Sequence, residues 1–176
     1  MKGRPISCCF SGHRPNKLPW STRESDPRCV ELKNRIHAAV DAAVAQGYTH
    51  FLCGMARGCD LYFAEEILYR KTDNPDITLE TVIPCLSQAE EWTEEERERY
   101  GRIIAAADIE TVVQREYSRG CMQRRNRYMV DHSSLLIAAY GGISGGTRNT
   151  VLYAMSRGVE VMDIPIPEDL EREKSE

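Results

Sequence analysis

Gly141-Gly-Ile-Ser-Gly-Gly-Thr147 places four glycines and two hydroxyl residues directly after an apolar run. Glycine lacks a Cβ, so such a segment turns at positive φ and brings backbone N–H groups close to an oxyanion. A helix starting at about Thr147 adds the positive end of its dipole, a combination suited to phosphate. The alternative is a flexible connector. A second segment, Gly54-Met-Ala-Arg-Gly-Cys-Asp60, repeats the design with a guanidinium added. Arg57 can pair bidentately with phosphate or carboxylate, or extend into water. Asp60 reads equally as a helix N-cap or as a ribose or base contact.

Ser11-Gly-His-Arg14 forms a third candidate loop. Histidine titrates near neutrality, so His13 and Asp60 are the weak candidates for acid–base chemistry, although a lone loop histidine is more often structural. Arg124-Arg-Asn-Arg127 is the densest cationic stretch. Arg127 is expected at the strand edge, where it would neutralise phosphate, with Arg124 and Arg125 in water; a solvated charged face is the alternative. Ser11, Ser144 and Thr147 suit hydroxyl donation to phosphate better than nucleophilic attack. Cys59 near a helix start lacks a general base. No C-x-x-C pair or H-E-x-x-H helix exists, so no metal is expected.

Six strands and the helices between them must position these loops. Ile6–Phe10, Tyr48–Cys53, Thr78–Ile83, Glu110–Gln114, Ser133–Tyr140 and Glu160–Ile164 have strand composition. Asp26-Pro27 reads as an N-cap followed by proline at the first helical position, and Gly47 ends that helix. A second helix runs through Leu61, Ala64, Ile67 and Leu68 to a break at Asn74-Pro75. Ser87 with Glu90 matches a capping box, which predicts a helix over 88–107. A loop or short helix covers 115–130, and a last helix passes Val151 and Met155. Strands alternating with helices, several without a wet face, indicate an α/β Rossmann-like three-layer fold: a mostly parallel sheet with helices on both faces. Right-handed crossovers put all carboxyl ends on one edge, where ligands of such folds sit. The loops after strands one, two and five are the three rich in glycine, arginine and hydroxyls.

The 176 residues suit one domain over 1–167, with 168–176 a charged, frayed tail. At 41% hydrophobic composition a core needs neither disulfide nor metal. The seven cysteines are odd in number and irregularly spaced, which indicates reduced thiols. No apolar run approaches the ~20 residues of a membrane span, and the first residues do not resemble a signal peptide, so a cytoplasmic location is expected. A net charge of −4 argues against a surface that grips nucleic acid as a whole. The charge is uneven, with six glutamates in 90–98 and five arginines in 115–128.

Gly54-Met-Ala-Arg-Gly-Cys-Asp60 resembles the G-L-A-R-G-I-D loop of DprA (Smf) proteins, and Arg125-Asn-Arg127 followed by Leu135-Leu-Ile-Ala-Ala resembles their R-N-R segment and next strand. With Ser11-Gly-His-Arg-Pro15 after the first strand, the order is most similar to the YpsA-like branch of the SLOG superfamily, which also includes the LOG phosphoribohydrolases. The resemblance spans about Ile6 to Pro165. It implies a Rossmann-like domain for a nucleotide or ADP-ribose-like ligand and self-association into homo-oligomers. It also makes Gly54, Arg57, Gly58, Arg127 and the loop of Gly141, Gly142, Gly145, Gly146 and Thr147 ligand contacts, and Ser11, Gly12, His13, Arg14, Ala56 and Asp60 join them as contacts expected from the loops themselves. No further cofactor is implied. LOG enzymes carry P-G-G-x-G-T-x-x-E, with a glutamate that helps cleave an N-glycosidic bond. Here Tyr140 replaces the proline and Thr150 the glutamate. Asp60 or Asp131 would substitute only by reaching the same pocket. Three functions follow: binding or sensing of a nucleotide derivative, LOG-type hydrolysis, and DprA-like single-stranded DNA binding.

Overall fold

The computed structural model describes residues 6–168. The expected frayed tail therefore lies outside the described residues beyond Glu168. The six strands are β1 (Ile6–Gly12), β2 (Tyr48–Cys53), β3 (Thr78–Ile83), β4 (Ile109–Val112), β5 (Leu135–Ala139) and β6 (Glu160–Ile164). They form one sheet in the order β4-β3-β2-β1-β5-β6, and every pairing is parallel. From β1 the chain builds outward through β2 to β4, then returns to pair β5 on the other side of β1. The direction of winding reverses between β1 and β5, so their two loops diverge and leave a crevice at the carboxyl edge.

The helices are α1 (Pro27–Ala45), α2 (Cys59–Asp73), α3 (Glu94–Ala106), α4 (Cys121–Asp131) and α5 (Gly146–Ser156). Strand side chains alternate between two cores. Cys8, Phe10, Phe51, Cys53, Leu79, Leu135 and Ile137 join the stripe of α1 (Leu32, Ile36, Val40) and α2 (Phe63, Ile67). Cys9, Leu52, Val82, Leu136 and Ala138 pack instead against Met129 and Val130 of α4 and Val151 and Ala154 of α5. This period-two division makes three layers of the chain.

Asp26 caps α1 as expected, accepting from the Arg28 amide at 2.9 Å, and Gly47 leaves the helix at φ +96°. The third helix starts six residues later than the sequence reading placed it. Thr93 and Glu96 make the reciprocal capping box, at 3.0 and 3.2 Å, while Ser87 to Trp92 fold as turns. Both segments satisfy the S/T-x-x-E pattern, and Thr93 alone is followed by an unbroken run of helix formers. The fourth strand begins at Ile109, one residue early. The segment read as a loop or short helix is α4.

All seven cysteines are buried and none is in a disulfide. Among the described residues no helix is long and apolar enough to cross a membrane, and no three His, Cys, Asp or Glu side chains are grouped to hold a metal. Glu80 of β3 is one of several buried charged groups, and is reached by His50 Nε2 (2.7 Å), Thr111 Oγ1 (2.6 Å) and Tyr128 OH (3.1 Å). Burial alone would push this carboxyl up; the three hydrogen bonds overcome it and hold it below the usual range.

Candidate functional site at the carboxyl edge

The three loops interlock before they present anything to a ligand. Gly12 ends β1 where α2 begins, and a Cβ there would lie 2.5 Å from that of Cys59. Gly58 precedes α2 at φ +85°, with its missing Cβ 2.8 Å from the carbonyl oxygen of His13, which accepts from the Cys59 amide at 3.2 Å. His13 turns the other way: its amide donates to Ala139 O (3.2 Å), and its Nε2 accepts from the Gly141 amide at 3.1 Å. Acceptance at Nε2 puts the ring proton on Nδ1. Burial, helped by the charge of Lys17, pulls the His13 pKa down and keeps the ring neutral. Lys17 Nζ donates to Ser144 O at 2.8 Å and occupies the space a Cβ on Gly145 would need. His13 and Lys17 thus hold the glycine-rich loop from beneath.

A cavity of about 310 Å³ opens between these loops. Ser11, Gly12, His13, Arg14, Ala56, Asp60, Gly146 and Thr147 line it as the sequence predicts, together with Phe10, Asn16, Lys17, Met122, Arg125 and Asn126, which no loop motif marks as contacts. Thr147 Oγ1 accepts from Ser11 Oγ at 3.4 Å. Gly145, the residue before α5, stands at φ +145°, and no side chain caps the helix. Among the described residues the first-turn amides of Gly146, Thr147 and Arg148 have no acceptor. Unsatisfied amides and the positive end of a helix dipole beside a polar cavity are features that favour an anion. Arg14 is exposed, has no ion-pair partner among the described residues, and lines the same cavity.

Asp60 is buried, and its Oδ2 accepts from the Ala56 amide at 3.0 Å, closing the second loop on itself. Burial pushes its carboxyl up, opposed by the positive charges of Arg125 and Arg14. Of the two carboxylates considered as substitutes for a LOG-type glutamate, Asp60 reaches the cavity. Asp131 does not: it accepts from Tyr153 OH (2.8 Å) and pairs with Arg157 (3.3 Å) between α4 and α5. Thr150 turns its hydroxyl back to Gly146 O at 2.9 Å.

The arginine cluster corrects the sequence reading. Arg125, expected in water, is only 3% exposed; its Nη1 donates to Gly54 O and its Nε to Asn126 Oδ1 at 2.7 Å. Arg127, expected at the strand edge, is exposed on the far side, with its guanidinium 5.3 Å from the centre of the Tyr153 ring. The reason is helical phase. Cys121, Arg125 and Met129 are four residues apart on the buried stripe of α4, and Arg127 is half a turn round. Gly54 therefore has a packing role, since a Cβ on it would sit 2.6 Å from Arg125 Cζ. Met55 beside it is a buried non-glycine residue at φ +60°.

Two further cavities adjoin the first. One of about 390 Å³ is lined by Arg14, Asn16, Ala56 and Met122, shared with the first, and by Pro15, Ser21, Arg57, Gln88 and Trp92. Arg57 is steadied there by Glu96 at 3.1 Å. Another of about 490 Å³ lies between α4 and α5, with Arg127, Asn149 and Tyr153 on its walls. Gly141 and Gly142 are exposed in the glycine-rich loop and line none of the three.

Against known proteins, the YpsA family model (YspA SLOG family) matches residues 8–166. YoqJ, an SPbeta prophage-derived protein of Bacillus subtilis, is 28% identical over 142 residues, covering 73% of this chain and 83% of its own. A UPF0398 protein of Bacillus cereus is 25% identical over 153 residues, covering 86% and 83%. Among solved structures, the Helicobacter pylori DNA processing protein A, described by its single-stranded DNA binding mode, superposes with a TM-score of 0.62 at 15% identity, over 94% of this chain and 67% of its own. DprA of Streptococcus pneumoniae gives 0.61 at 14%, over 97% and 56%. Those two likenesses concern the fold. The family match spans all three loops and the helices that hold them, and the chain belongs to the YpsA family of SLOG proteins.

Proposed function

We propose that this protein binds, and thereby senses, a phosphate-bearing nucleotide derivative in the crevice between β1 and β5. The observation that carries the reading is the meeting, around one cavity, of the first turn of α5, where Gly146 and Thr147 have no amide acceptor among the described residues, with the guanidinium of Arg14, which has no ion-pair partner among them. Phosphate takes the amides, and Arg14 closes over it from the β1 loop. Gly145 keeps the approach clear, Ser11 and Thr147 offer hydroxyls, and Asn16 and Asn126 are available to sugar or base. His13 serves as a strut, because its Nε2 is engaged with the Gly141 amide. Arg57 contributes from the second cavity.

The test is thermal stabilisation of the purified chain across nucleoside monophosphates, ADP-ribose, dinucleotides and short single-stranded DNA, with chromatography of every mixture. A ligand at 100 times its dissociation constant adds about 2.7 kcal/mol, and for a chain this long that raises Tm by roughly 5–11 °C. Folded protein that gains stability from none of them would remove the reading, and release of free base would turn it into hydrolysis with Asp60 the carboxylate to mutate. Single-stranded DNA is the second reading, favoured by the fold shared with DprA, whose Helicobacter pylori form binds it. Binding driven by backbone phosphates weakens steeply with salt, so an absence of DNA binding at low salt disposes of that alternative.

A further inference from the structure

The second cavity is not needed for one phosphate and its nucleoside, yet it is built for something of similar kind. Trp92 lines it, held edge-to-face by Tyr100 at 5.2 Å between ring centres. Arg57 enters from the opposite loop, and the Gln88 amide, tied to Gly54 O at 3.2 Å, stands beside them. An indole with a guanidinium and an amide nearby stacks a planar base and reads its edge. Arg14, Asn16, Ala56 and Met122 line both cavities, so the two adjoin at these four residues. Each cavity alone lies at the small end of the roughly 300–1,000 Å³ typical of ligand sites.

We infer that the two cavities hold one ligand, a pair of nucleoside halves joined by a pyrophosphate bridge, with the bridge between the α5 amides and Arg14 and the second base on Trp92. This rests on the nucleotide-binding reading above and names its ligand class. Charge favours a small molecule over a nucleic-acid strand. Glu90, Glu91, Glu94 and Glu95 are all exposed on either side of Trp92, and further phosphates leaving the cavity there would meet four carboxylates.

The chain has two tryptophans. Trp20 is 4% exposed and bonded to Tyr62 OH, so ligand quenching of tryptophan emission reports on Trp92. Titrations compare AMP, ADP-ribose, diadenosine diphosphate and a six-residue oligo(dA), by calorimetry and by fluorescence. Diadenosine diphosphate is expected to bind about tenfold or more tighter than AMP and to quench emission, and the advantage is lost in Trp92→Leu. Arg57→Gln, which keeps the indole, is expected to shrink it too. AMP binding with no gain from the bridged compounds overturns the two-half ligand and leaves the mononucleotide reading standing. Binding of none of the four overturns both. A gain that survives both substitutions places the second half elsewhere and overturns the assignment, as does oligo(dA) binding tighter than diadenosine diphosphate.

Discussion

Replacing Gly54 with alanine tests how the two loops and α4 are joined. The backbone at Gly54 is not in the positive-φ region, so alanine adds no conformational strain and the perturbation is purely steric. Its methyl would stand 2.6 Å from Arg125 Cζ and Nη1 and 2.8 Å from Nε. A guanidinium is the movable end of a long side chain, but this one is buried and tethered to Gly54 O and Asn126 Oδ1. Swinging it aside breaks the charged bond to Gly54 O, at about 1.5–3 kcal/mol, while Gln88 keeps that oxygen paired. For a chain of this length the loss lowers Tm by roughly 3–12 °C. Urea unfolding of Gly54→Ala, Arg125→Met and the double variant supplies the cycle. The methyl should cost little once the guanidinium is gone. A single variant as stable as the parent, or the same cost in both backgrounds, refutes the claim that Arg125 makes this position a glycine.

Three other outcomes follow from the same geometry. His13 is kept neutral by burial and by the charge of Lys17, so the unfolded chain binds more protons; stability is full above the ordinary histidine pKa of 6.5 and falls as pH drops below it. His13→Gln keeps an acceptor without titrating, and melting curves from pH 7.5 to 5.5 should fall less steeply for it; parallel profiles count against the strut. Gly145→Ala puts a methyl onto Lys17 Nζ at φ +145°, and AMP affinity measured by calorimetry should fall by about tenfold, or ~1.4 kcal/mol. Unchanged affinity would detach the loop from the site. Tyr128→Phe takes one donor from Glu80, for a loss of about 1.5 kcal/mol in urea unfolding, and no loss would mean that His50 and Thr111 suffice.

Much of the site was legible because the fold concentrates it. Three loops rich in glycine and arginine follow β1, β2 and β5, which are neighbours in the sheet, so reading strands and loops was enough to bring Ser11, Arg14, Asp60 and Thr147 to one cavity. Roles within that edge were harder. Gly54 and Gly58 read as room for a ligand, whereas each makes room for this chain's own atoms, Arg125 and the His13 carbonyl. Arg125 was recoverable: it shares the four-residue stripe of Cys121 and Met129, and an arginine on an apolar stripe signals burial. Trp92 was hidden by the choice between two capping boxes, since a helix from 88 would have carried it round with the glutamates. Glu80 left no mark, because one acidic residue in a strand shows nothing of His50, Thr111 and Tyr128 arriving from other strands and a helix.

The carbonyl of Gly54 accepts from Arg125, which comes from the α4 layer, and from Gln88, whose own Oε1 accepts from Tyr100 of α3 in the other layer. A single peptide at the end of β2 is therefore answerable to both faces of the sheet. Opening α4 alone would strand a buried guanidinium, and loosening the turn at 86–92 would shift the acceptor it relies on. These segments, distant in sequence and on opposite sides of the sheet, should open as one cooperative unit, so that amide exchange in α4 and in α3 follows a common free energy.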